Sequence, residues 1–172
     1  MDALEALIRD VPDFPTQGIL FKDITPLLAD AAGLKETVRR LIEPFMNAGV
    51  ELIVGTESRG FIFGTAAAVQ MGVGFVPIRK PGKLPCPTMR AEYELEYGTD
   101  AVEIHADAIR PGQKVLMIDD LLATGGTMAA SCRLVEQLGG DILGACFVVE
   151  LCLLNGRARL ADYPVHALIQ VD

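Results

Sequence analysis

Residues 115–127 read Val-Leu-Met-Ile-Asp-Asp-Leu-Leu-Ala-Thr-Gly-Gly-Thr. The apolar run Val115–Ile118 is typical of a parallel strand that is covered on both faces, where no polar alternation is needed. A loop with adjacent glycines follows, and the apolar spacing from Met128 to Leu138 predicts a helix. Backbone N–H groups converge at such a helix start and the helix dipole favours an anion, so the segment predicts a phosphate site.

The predicted strand is followed first by two carboxylates and then by a loop of small and hydroxyl residues, which suit different parts of a ligand. Asp119 and Asp120 would repel a phosphate, but their carboxylates suit the paired hydroxyls of a ribose or an indirect magnesium contact. The segment lacks the lysine of the P-loop and the G-x-G-x-x-G pattern of dinucleotide-binding folds. It therefore predicts a ribose 5-phosphate site, against the alternative of an ordinary strand-to-helix turn. The residues that would supply N–H and hydroxyl donors are Ala123, Thr124, Gly125, Gly126 and Thr127.

The composition favours a single α/β domain spanning residues 1–172. Hydrophobic residues make up 51% of the chain and aromatic residues only 6%, so aliphatic side chains supply most of the core. That balance suits a sheet covered by helices on both faces. The net charge of −8 argues against a nucleic-acid partner bound by bulk electrostatics.

The cysteines and the apolar segments favour a cytoplasmic protein without a membrane span. The acidic N-terminus is unlike a signal peptide. The apolar window of residues 61–78 contains Gln70 and internal glycines, so it predicts a buried helix followed by a strand. Free thiols in a reducing compartment are expected, rather than a metal site or disulfides, because no C-x-x-C spacing occurs among Cys86, Cys132, Cys146 and Cys152.

The periodicity of apolar residues predicts the order of the elements. Leu4, Leu7, Ile8 and Val11 have helical spacing and predict a short opening helix, and residues 19–26 predict a loop or short extended piece. Alternating strands and helices predict a parallel sheet with right-handed crossovers. The other predicted elements are a helix over 34–46 that ends or kinks near Pro44, strands at 51–55, 74–78, 102–105, 115–118, 145–149 and 167–171, and helices at 61–71, about 127–138 and about 155–161.

Polar motifs follow three of the predicted strands. They are residues 57–60 (Glu-Ser-Arg-Gly), residues 79–83 (Arg-Lys-Pro-Gly-Lys) and the segment from Asp119 to Thr127. The carboxyl ends of parallel strands meet at one edge of a sheet, where ligands bind in open α/β folds. Residues 57–60 could instead be a plain helix cap formed by Ser58. Residues 79–83 could be a solvated basic loop.

Two acids followed by Ala-Thr-Gly-Gly-Thr resemble the signature with which type I phosphoribosyltransferases bind 5-phosphoribosyl pyrophosphate (PRPP). The chain also resembles the adenine-specific members of that family, in order, over segments 14–27, 57–64, 78–85, 93–98, 119–128 and 149–151. The resemblance implies the type I phosphoribosyltransferase fold, a Rossmann-like parallel sheet flanked by helices. It also implies a small N-terminal hood (about 1–30) and a flexible lid (about 80–100).

The resemblance implies a reaction and its participants. Adenine and PRPP would give AMP and pyrophosphate in purine salvage. Magnesium would be bound mainly through PRPP and water, with no direct protein ligand. Family members are typically homodimers, so a homodimer is expected, with no nucleic-acid or membrane partner.

The resemblance also assigns roles to individual residues. The 5-phosphate would be bound by Ala123, Thr124, Gly125, Gly126 and Thr127, and the ribose by Asp119 and Asp120. Pyrophosphate would be bound by Glu57, Ser58, Arg59, Arg79, Lys80 and Lys83. Adenine would be bound by Phe21, Lys22 and Leu151, with backbone groups near Phe21 and Lys22 reading its edge. The catalytic residues would be Glu96, Tyr97 and Arg59.

The proton acceptor remains open between two lid residues. Related enzymes for 6-oxopurines carry an Asp where Ala123 stands, and that Asp handles the purine proton. This chain has no acid there, so Glu96 or Glu94 is the available choice. Two departures from the family pattern are Lys22, where many relatives have Arg, and Cys86, where Gly is usual.

Two other functions remain open at this stage. One is transfer to another base, such as hypoxanthine, xanthine or orotate, against which Ala123 and Phe21 weigh. The other is a PRPP-sensing regulator that keeps the fold without catalysis. A regulator would be expected to carry an added DNA-binding helix pair or a basic RNA-binding face, and the acidity of this chain argues against both.

Overall fold

The computed structural model describes residues 3–94 and 98–172. Its α-helices are α1 (Thr25–Ala29), α2 (Ala31–Ile42), α3 (Gly60–Met71) and α4 (Gly126–Gln137). Its strands are β1 (Arg9–Pro12), β2 (Leu20–Asp23), β3 (Leu52–Thr56), β4 (Gly74–Ile78), β5 (Thr88–Glu94), β6 (Thr99–His105), β7 (Lys114–Leu122), β8 (Asp141–Leu151) and β9 (Val165–Val171). Short 3₁₀ helices occur at Glu5–Leu7, Glu43–Phe45, Cys152–Leu154 and Gly156–Leu160.

The centre of the fold is a parallel sheet with strand order β4-β3-β7-β8-β9. Two antiparallel hairpins, β1–β2 and β5–β6, lie outside it. The parallel sheet predicted from the alternation of elements is therefore confirmed. Over residues 3–94 and 98–172, no helix has the length and apolar character that crossing a membrane requires.

Both faces of the sheet are covered by apolar side chains. On one face, α4 and the β5–β6 hairpin pack against the sheet, and Met117 of β7 is fully buried among them. On the other face, α1, α2 and α3 pack against the sheet around the fully buried Ile118. Successive residues of β7 thus enter opposite cores, as the pleat of a strand requires. This double burial explains why the strand reads as an unbroken apolar run.

The N-terminal segment differs from its prediction. A short helix was expected from the spacing of apolar residues, but the helical part is only the 3₁₀ turn Glu5–Leu7, and Val11 lies in β1. Val11 pairs with Phe21 of β2, so a ladder with a distant strand replaces the local helical bonds. Apolar spacing over one or two turns is a weak signal, and tertiary pairing overrides it.

The β7 strand is longer than predicted. It was expected to end at Ile118, but it continues to Leu122, so Asp119 and Asp120 lie within the strand. β3 pairs with β7 only as far as Ile118, whereas β8 continues to pair with it up to Leu122, opposite Glu150. The carboxylates are therefore held by a regular ladder on one side, and the phosphate loop begins only after Leu122.

Other predictions agree with the structure. The second helix ends at Ile42, just before Pro44, and continues as the 3₁₀ turn Glu43–Phe45. The strand predicted at 102–105 is part of the β5–β6 hairpin. Residues near 155–161 are helical as predicted, but of the 3₁₀ type. β3, β4 and β7 run in parallel, so the polar motifs that follow them meet at one edge of the sheet.

Candidate active site

The carboxyl end of β7 carries two neighbouring carboxylates, Asp120 buried and Asp119 half-buried. Asp120 is 6% exposed, and its Oδ2 lies 2.8 Å from Nε of Arg59. The half-buried Asp119 accepts a hydrogen bond of 2.9 Å from the backbone N–H of Asp120. Burial and then the Asp120 charge raise the pKa of Asp119 well above its usual range, and burial raises the pKa of Asp120 although Arg59 opposes this. Partners that donate hydrogen bonds, such as hydroxyls, would relieve both carboxylates.

The loop after β7 forms a small cavity at the start of α4. The cavity has a volume of about 80 Å³ and is lined by Asp119 and by residues 121–128. Gly125 precedes the helix with φ of +79°, a left-handed conformation that favours glycine. No side chain caps this helix start within the described residues, so its first N–H groups remain available to an anion. The predicted phosphate loop thus has the geometry of an anion cradle.

The loop between β3 and α3 places a guanidinium at the same edge. Arg59 is the N-cap residue immediately before α3, so Ser58 does not cap the helix as the alternative reading required. The Glu57–Ser58 peptide bond is cis. Arg59 reaches Asp120, as described above, and its guanidinium carbon also lies 5.3 Å from the centre of the Phe21 ring. One side chain therefore connects the β1–β2 hairpin to the carboxylates of β7.

Two of the three basic residues after β4, Arg79 and Lys80, are paired with carboxylates of the chain. Glu57 accepts hydrogen bonds from Nε of Arg79 at 3.2 Å and from the backbone N–H of Lys80 at 2.9 Å. Burial alone would raise the pKa of Glu57, but the Lys80 N–H and Arg79 outweigh it and lower that pKa. The Lys80 ammonium contacts the Asp100 carboxylate and donates to the Tyr93 hydroxyl at 2.9 Å. Lys83 is exposed.

The β1–β2 hairpin presents different side chains on its two faces. Phe21 packs edge-on against Phe14, with ring centres 5.1 Å apart, and faces Arg59. The neighbouring Lys22 pairs instead with Asp10 at 2.6 Å. Because adjacent strand residues point to opposite faces, the Lys22 side chain is directed away from the Phe21 face. Only the backbone of Lys22 can therefore contact a ligand on the Phe21 face.

The remaining predicted residues are divided between the sheet and the β5–β6 hairpin. Leu151 ends β8 and packs against the apolar core on the α2 and α3 face. Glu96 and Tyr97 lie outside the described residues. The end of β5 packs against the phosphate loop at Gly126. A Cβ at Gly126 would lie 3.5 Å from the carbonyl oxygen of Glu94, the last residue of β5, and 3.2 Å from Cδ2 of Tyr93.

The sequence reasoning missed one element of the site, the turn at Asn155–Gly156. Its backbone packs directly against Gly125 of the phosphate loop, since a Cβ at Gly125 would lie 2.5 Å from the Gly156 carbonyl oxygen. The next residue, Arg157, forms two hydrogen bonds with the carboxylate of Glu150, at 2.6 and 2.7 Å. The Asn-Gly dipeptide is a strong turn signal, and it could have marked this connection.

The Glu150–Arg157 pair gives a testable pH dependence of stability. Arg157 lowers the pKa of Glu150 below its ordinary 4.5, so the pair stabilises the fold above pH 4.5 and loses that effect as the pH falls below it. Glu150→Gln is expected to lower the free energy of unfolding at neutral pH by about 1–3 kcal/mol. Urea unfolding should show this difference at neutral pH, and the difference should shrink below pH 4.5.

The matched control for that measurement is Glu92→Gln. Glu92 pairs with Arg90 at 3.1 Å on an exposed part of the hairpin, where such pairs contribute little. An effect of Glu150→Gln that is equally large at every pH would contradict the prediction, because it would mean that packing, and not charge, is lost.

Comparison with known proteins identifies the family. Residues 22–164 match the phosphoribosyl transferase domain family. Adenine phosphoribosyltransferase of Koribacter versatilis is 54% identical over 171 residues, which cover 99% of this chain and 94% of the relative. The enzyme of the same name from Chloroflexus aurantiacus is 56% identical over 97% of this chain and 96% of its own length.

Solved structures agree with this relationship. The crystal structure of adenine phosphoribosyltransferase from Rhodothermus marinus has a TM-score of 0.94 and 51% identity, and the match covers 98% of this chain and 96% of that one. The Saccharomyces cerevisiae enzyme, solved with adenine and an imino-altritol bisphosphate, has a TM-score of 0.91 and 44% identity over 96% of each chain. The chain therefore belongs to the phosphoribosyltransferase family, and the relatives compared above, which match it over nearly their whole length, carry the name adenine phosphoribosyltransferase.

Proposed function

We propose that this chain transfers the 5-phosphoribosyl group of PRPP to adenine, forming AMP and pyrophosphate. The observation that carries the proposal is the position of Arg59. It lies over the Phe21 ring and pairs with Asp120, so one guanidinium adjoins the surfaces expected to hold the base, the ribose and the pyrophosphate. Relatives more than 50% identical over nearly the whole chain carry the name of this activity.

The sugar phosphate would lie between β7 and α4. The 5-phosphate would enter the cavity at the start of α4 and accept hydrogen bonds from the N–H groups and hydroxyls of Ala123, Thr124, Gly125, Gly126 and Thr127. The ribose hydroxyls would donate to Asp119 and Asp120, whose pKa values are raised by burial and, at Asp119, also by the neighbouring Asp120 charge.

The pyrophosphate would lie between the loop at 57–59 and the basic segment 79–83. Its ligands would be the loop residues Glu57, Ser58 and Arg59 and the basic residues Arg79, Lys80 and Lys83. Arg59, Arg79 and Lys80 already pair with carboxylates, so binding would exchange a protein carboxylate for a phosphate oxygen at each of them. The exposed Lys83 would bind a phosphate oxygen without exchanging a protein carboxylate.

The base would lie between Phe21 and Leu151, with the backbone at Lys22 reading its edge. An oxygen in place of the adenine amine would set an acceptor against an acceptor, so 6-oxopurines would bind less well than adenine. In this assignment the segment of about residues 1–30 is a hood and that of about residues 80–100 is a lid, within one domain. Glu96, with Tyr97 nearby, would lie over the reacting centre.

The donor groups fit magnesium that is held chiefly by the substrate. Within the described residues, no cluster of three or more His, Cys, Asp or Glu could hold a metal ion. Asp119 and Asp120 offer oxygens beside the phosphate cavity, which suits an indirect contact through water. When bound, magnesium would neutralise charge on the departing pyrophosphate.

The chemistry is a displacement at the anomeric carbon. Arg59, Arg79, Lys80 and Lys83 stabilise the leaving pyrophosphate, and this electrostatic effect is the largest contribution. The sugar then has oxocarbenium character, and the ring nitrogen of adenine attacks from the opposite face. Holding both substrates in line supplies much of the remaining acceleration, and the β5–β6 hairpin excludes water that would hydrolyse the sugar.

The test of the function is a panel of acceptor bases. PRPP and magnesium are supplied with adenine, hypoxanthine, guanine, xanthine and orotate in parallel, and nucleotide products are separated by chromatography. AMP from adenine alone is the expected result. Transfer to a 6-oxopurine or to orotate would overturn the base assignment. Binding of PRPP without transfer to any base would favour the regulator.

We also propose that the chain is a homodimer that pairs through α3. This helix carries apolar residues on its outer face, where Ile62 is 41% and Val69 is 78% exposed. Residues seven apart lie on one side of a helix, so the two form an apolar stripe. Such exposed stripes are typical of protein interfaces.

Val69→Glu is expected to convert the dimer to a monomer, because it would bury an unpaired charge on each side of the interface. The molar mass measured by size-exclusion chromatography with light scattering should fall by about half. The control is Lys35→Glu, an exposed change of charge on α2. An unchanged mass for Val69→Glu would mean that α3 does not form the interface.

A cytoplasmic location is proposed on the state of the cysteines. All four thiols are free: Cys132 and Cys146 are buried, Cys152 is partly buried and Cys86 is exposed. Burial raises the pKa of the Cys132 thiol to about 12, so it remains protonated and unreactive. An exposed free thiol such as Cys86 suits a reducing compartment.

A further inference from the structure

The turn at Asn155–Gly156 lies directly behind the phosphate loop. A Cβ at Gly156 would collide with the carbonyl oxygen of Ala123 and would lie 3.1 Å from the backbone nitrogen of Gly125. The φ angle of Gly156 is not in the left-handed region, whereas Asn155 has a φ of +50°. Glycine is therefore needed at position 156 for close approach and not for backbone conformation. The two backbones pack without any side chain between them.

Arg157, the residue after Gly156, links the turn to β8 and to the edge strand β9. Arg157 donates two hydrogen bonds to Glu150 of β8, as described above, and a third, of 2.9 Å, to the backbone carbonyl of Val165 at the start of β9. Glu150 is 4% exposed, and its carboxylate also accepts a hydrogen bond of 3.0 Å from the side-chain amide of Gln170 in β9. A paired carboxylate and guanidinium in two parallel bonds have fixed geometry. The position of Gly156 is thus set by two strands and not by the loop that it supports.

We propose that Gly156 and Arg157 are positioning residues for the 5-phosphate, although neither is assigned to contact the substrate. Gly156 holds the backbone of Ala123 and Gly125 in the conformation that directs the N–H groups at the start of α4 into the cavity. Arg157 holds Gly156 in place. The inference rests on the proposed function, because it takes the ligand of this cavity to be the phosphate of a ribose 5-phosphate group.

The test separates the two anion sites of the same protein. Ribose 5-phosphate probes the loop before α4, and inorganic pyrophosphate probes the basic segment and Arg59. Isothermal titration calorimetry of Gly156→Ala is expected to show affinity for ribose 5-phosphate weakened by roughly 10- to 100-fold, since displacements near 1 Å have effects of that size. Affinity for pyrophosphate should remain within about twofold, and the KM for PRPP should rise while the KM for adenine does not.

The matched control is Gly144→Ala, which overpacks β8, the strand that carries Glu150, at a point away from the loop. A Cβ there would lie 2.6 Å from Phe45 and 2.9 Å from the carbonyl oxygen of Pro164. It should destabilise the protein while leaving the ratio of the two affinities unchanged. Arg157→Met is the second variant if Gly156→Ala does not fold. It should weaken ribose 5-phosphate binding selectively, whereas Arg157→Lys should restore part of the loss.

Each outcome decides the inference. Wild-type affinity for ribose 5-phosphate in Gly156→Ala would overturn it. An equal loss of affinity for ribose 5-phosphate and pyrophosphate in that variant would also overturn it. So would a selective loss of affinity for ribose 5-phosphate in Gly144→Ala. Failure of the wild-type protein to bind ribose 5-phosphate would overturn the proposed phosphate site and the inference with it. Failure of adenine transfer alone, with the selective loss intact, would overturn only the proposed reaction.

Discussion

Replacing Arg59 by Lys is expected to lower kcat/KM for AMP formation by about 10²–10³-fold, the effect of removing one preorganised donor from a developing charge. The guanidinium lies over the Phe21 ring and simultaneously forms an ion pair with Asp120. An ammonium is a compact, strongly hydrated charge without a planar face, so it cannot make both contacts. Asp120 would then be a buried carboxylate without its partner.

Initial rates at saturating magnesium, with PRPP and adenine varied in turn, measure this effect. Arg90→Lys is the control, because Arg90 forms an exposed pair with Glu92 at 3.1 Å and has no assigned role in the reaction. Thermal unfolding of both variants shows whether the fold is retained. A folded Arg59→Lys enzyme with activity within about threefold of wild type would remove Arg59 from the proposed catalytic set.

Glu96→Gln is expected to lower kcat by about 10²–10⁴-fold, the usual contribution of general acid–base catalysis. An amide cannot accept the purine proton, and position 123, where related 6-oxopurine enzymes carry an acid, is Ala. The neighbouring hairpin supports this assignment, because the backbone of Glu94 adjoins Gly126 at the phosphate cavity. The acidic limb of the pH–kcat profile should disappear in the variant, since that limb reports the protonation of the base.

Glu94→Gln is the matched variant, since it changes the same side chain two positions earlier. The Glu94 side chain is exposed in the structure, and its substitution should change kcat by less than about threefold. A large loss in Glu94→Gln with near-normal activity in Glu96→Gln would transfer the role of base to Glu94. Wild-type activity in both variants would mean that neither Glu94 nor Glu96 accepts the proton.

The parts of the fold that the sequence predicts are those with dense local signals. β3, β7 and β8 are apolar runs with buried centres, as expected, and β4 is an apolar run at the sheet edge that is mostly half-buried. The loop from Ala123 to Thr127 could be recognised because glycines and hydroxyl residues follow a strand and precede a helix. Parallel strands then bring the three polar motifs to one edge without knowledge of any contact.

The parts that could not be predicted depend on contacts between distant residues. Lys80 pairs with Asp100 and Arg59 with Asp120, and nothing in the local sequence of either partner indicates the other. The β1 strand exists because β2 pairs with it, which a short apolar spacing does not reveal. Gly156 supports a loop that begins more than thirty residues earlier, through a backbone contact that has no side-chain signature.

The pairing of the site's cations with internal carboxylates has a consequence for which anions can compete. At Arg59, Arg79 or Lys80, a lone chloride or sulfate must displace a carboxylate from a cation that is already neutralised, and it gains only one contact in return. A diphosphate can replace several of these carboxylates in one event, because its second phosphate binds at a high effective concentration. The resting site therefore favours anions that reach several of its cations at once, and salts of single small anions such as chloride and sulfate should inhibit it less than their concentrations suggest.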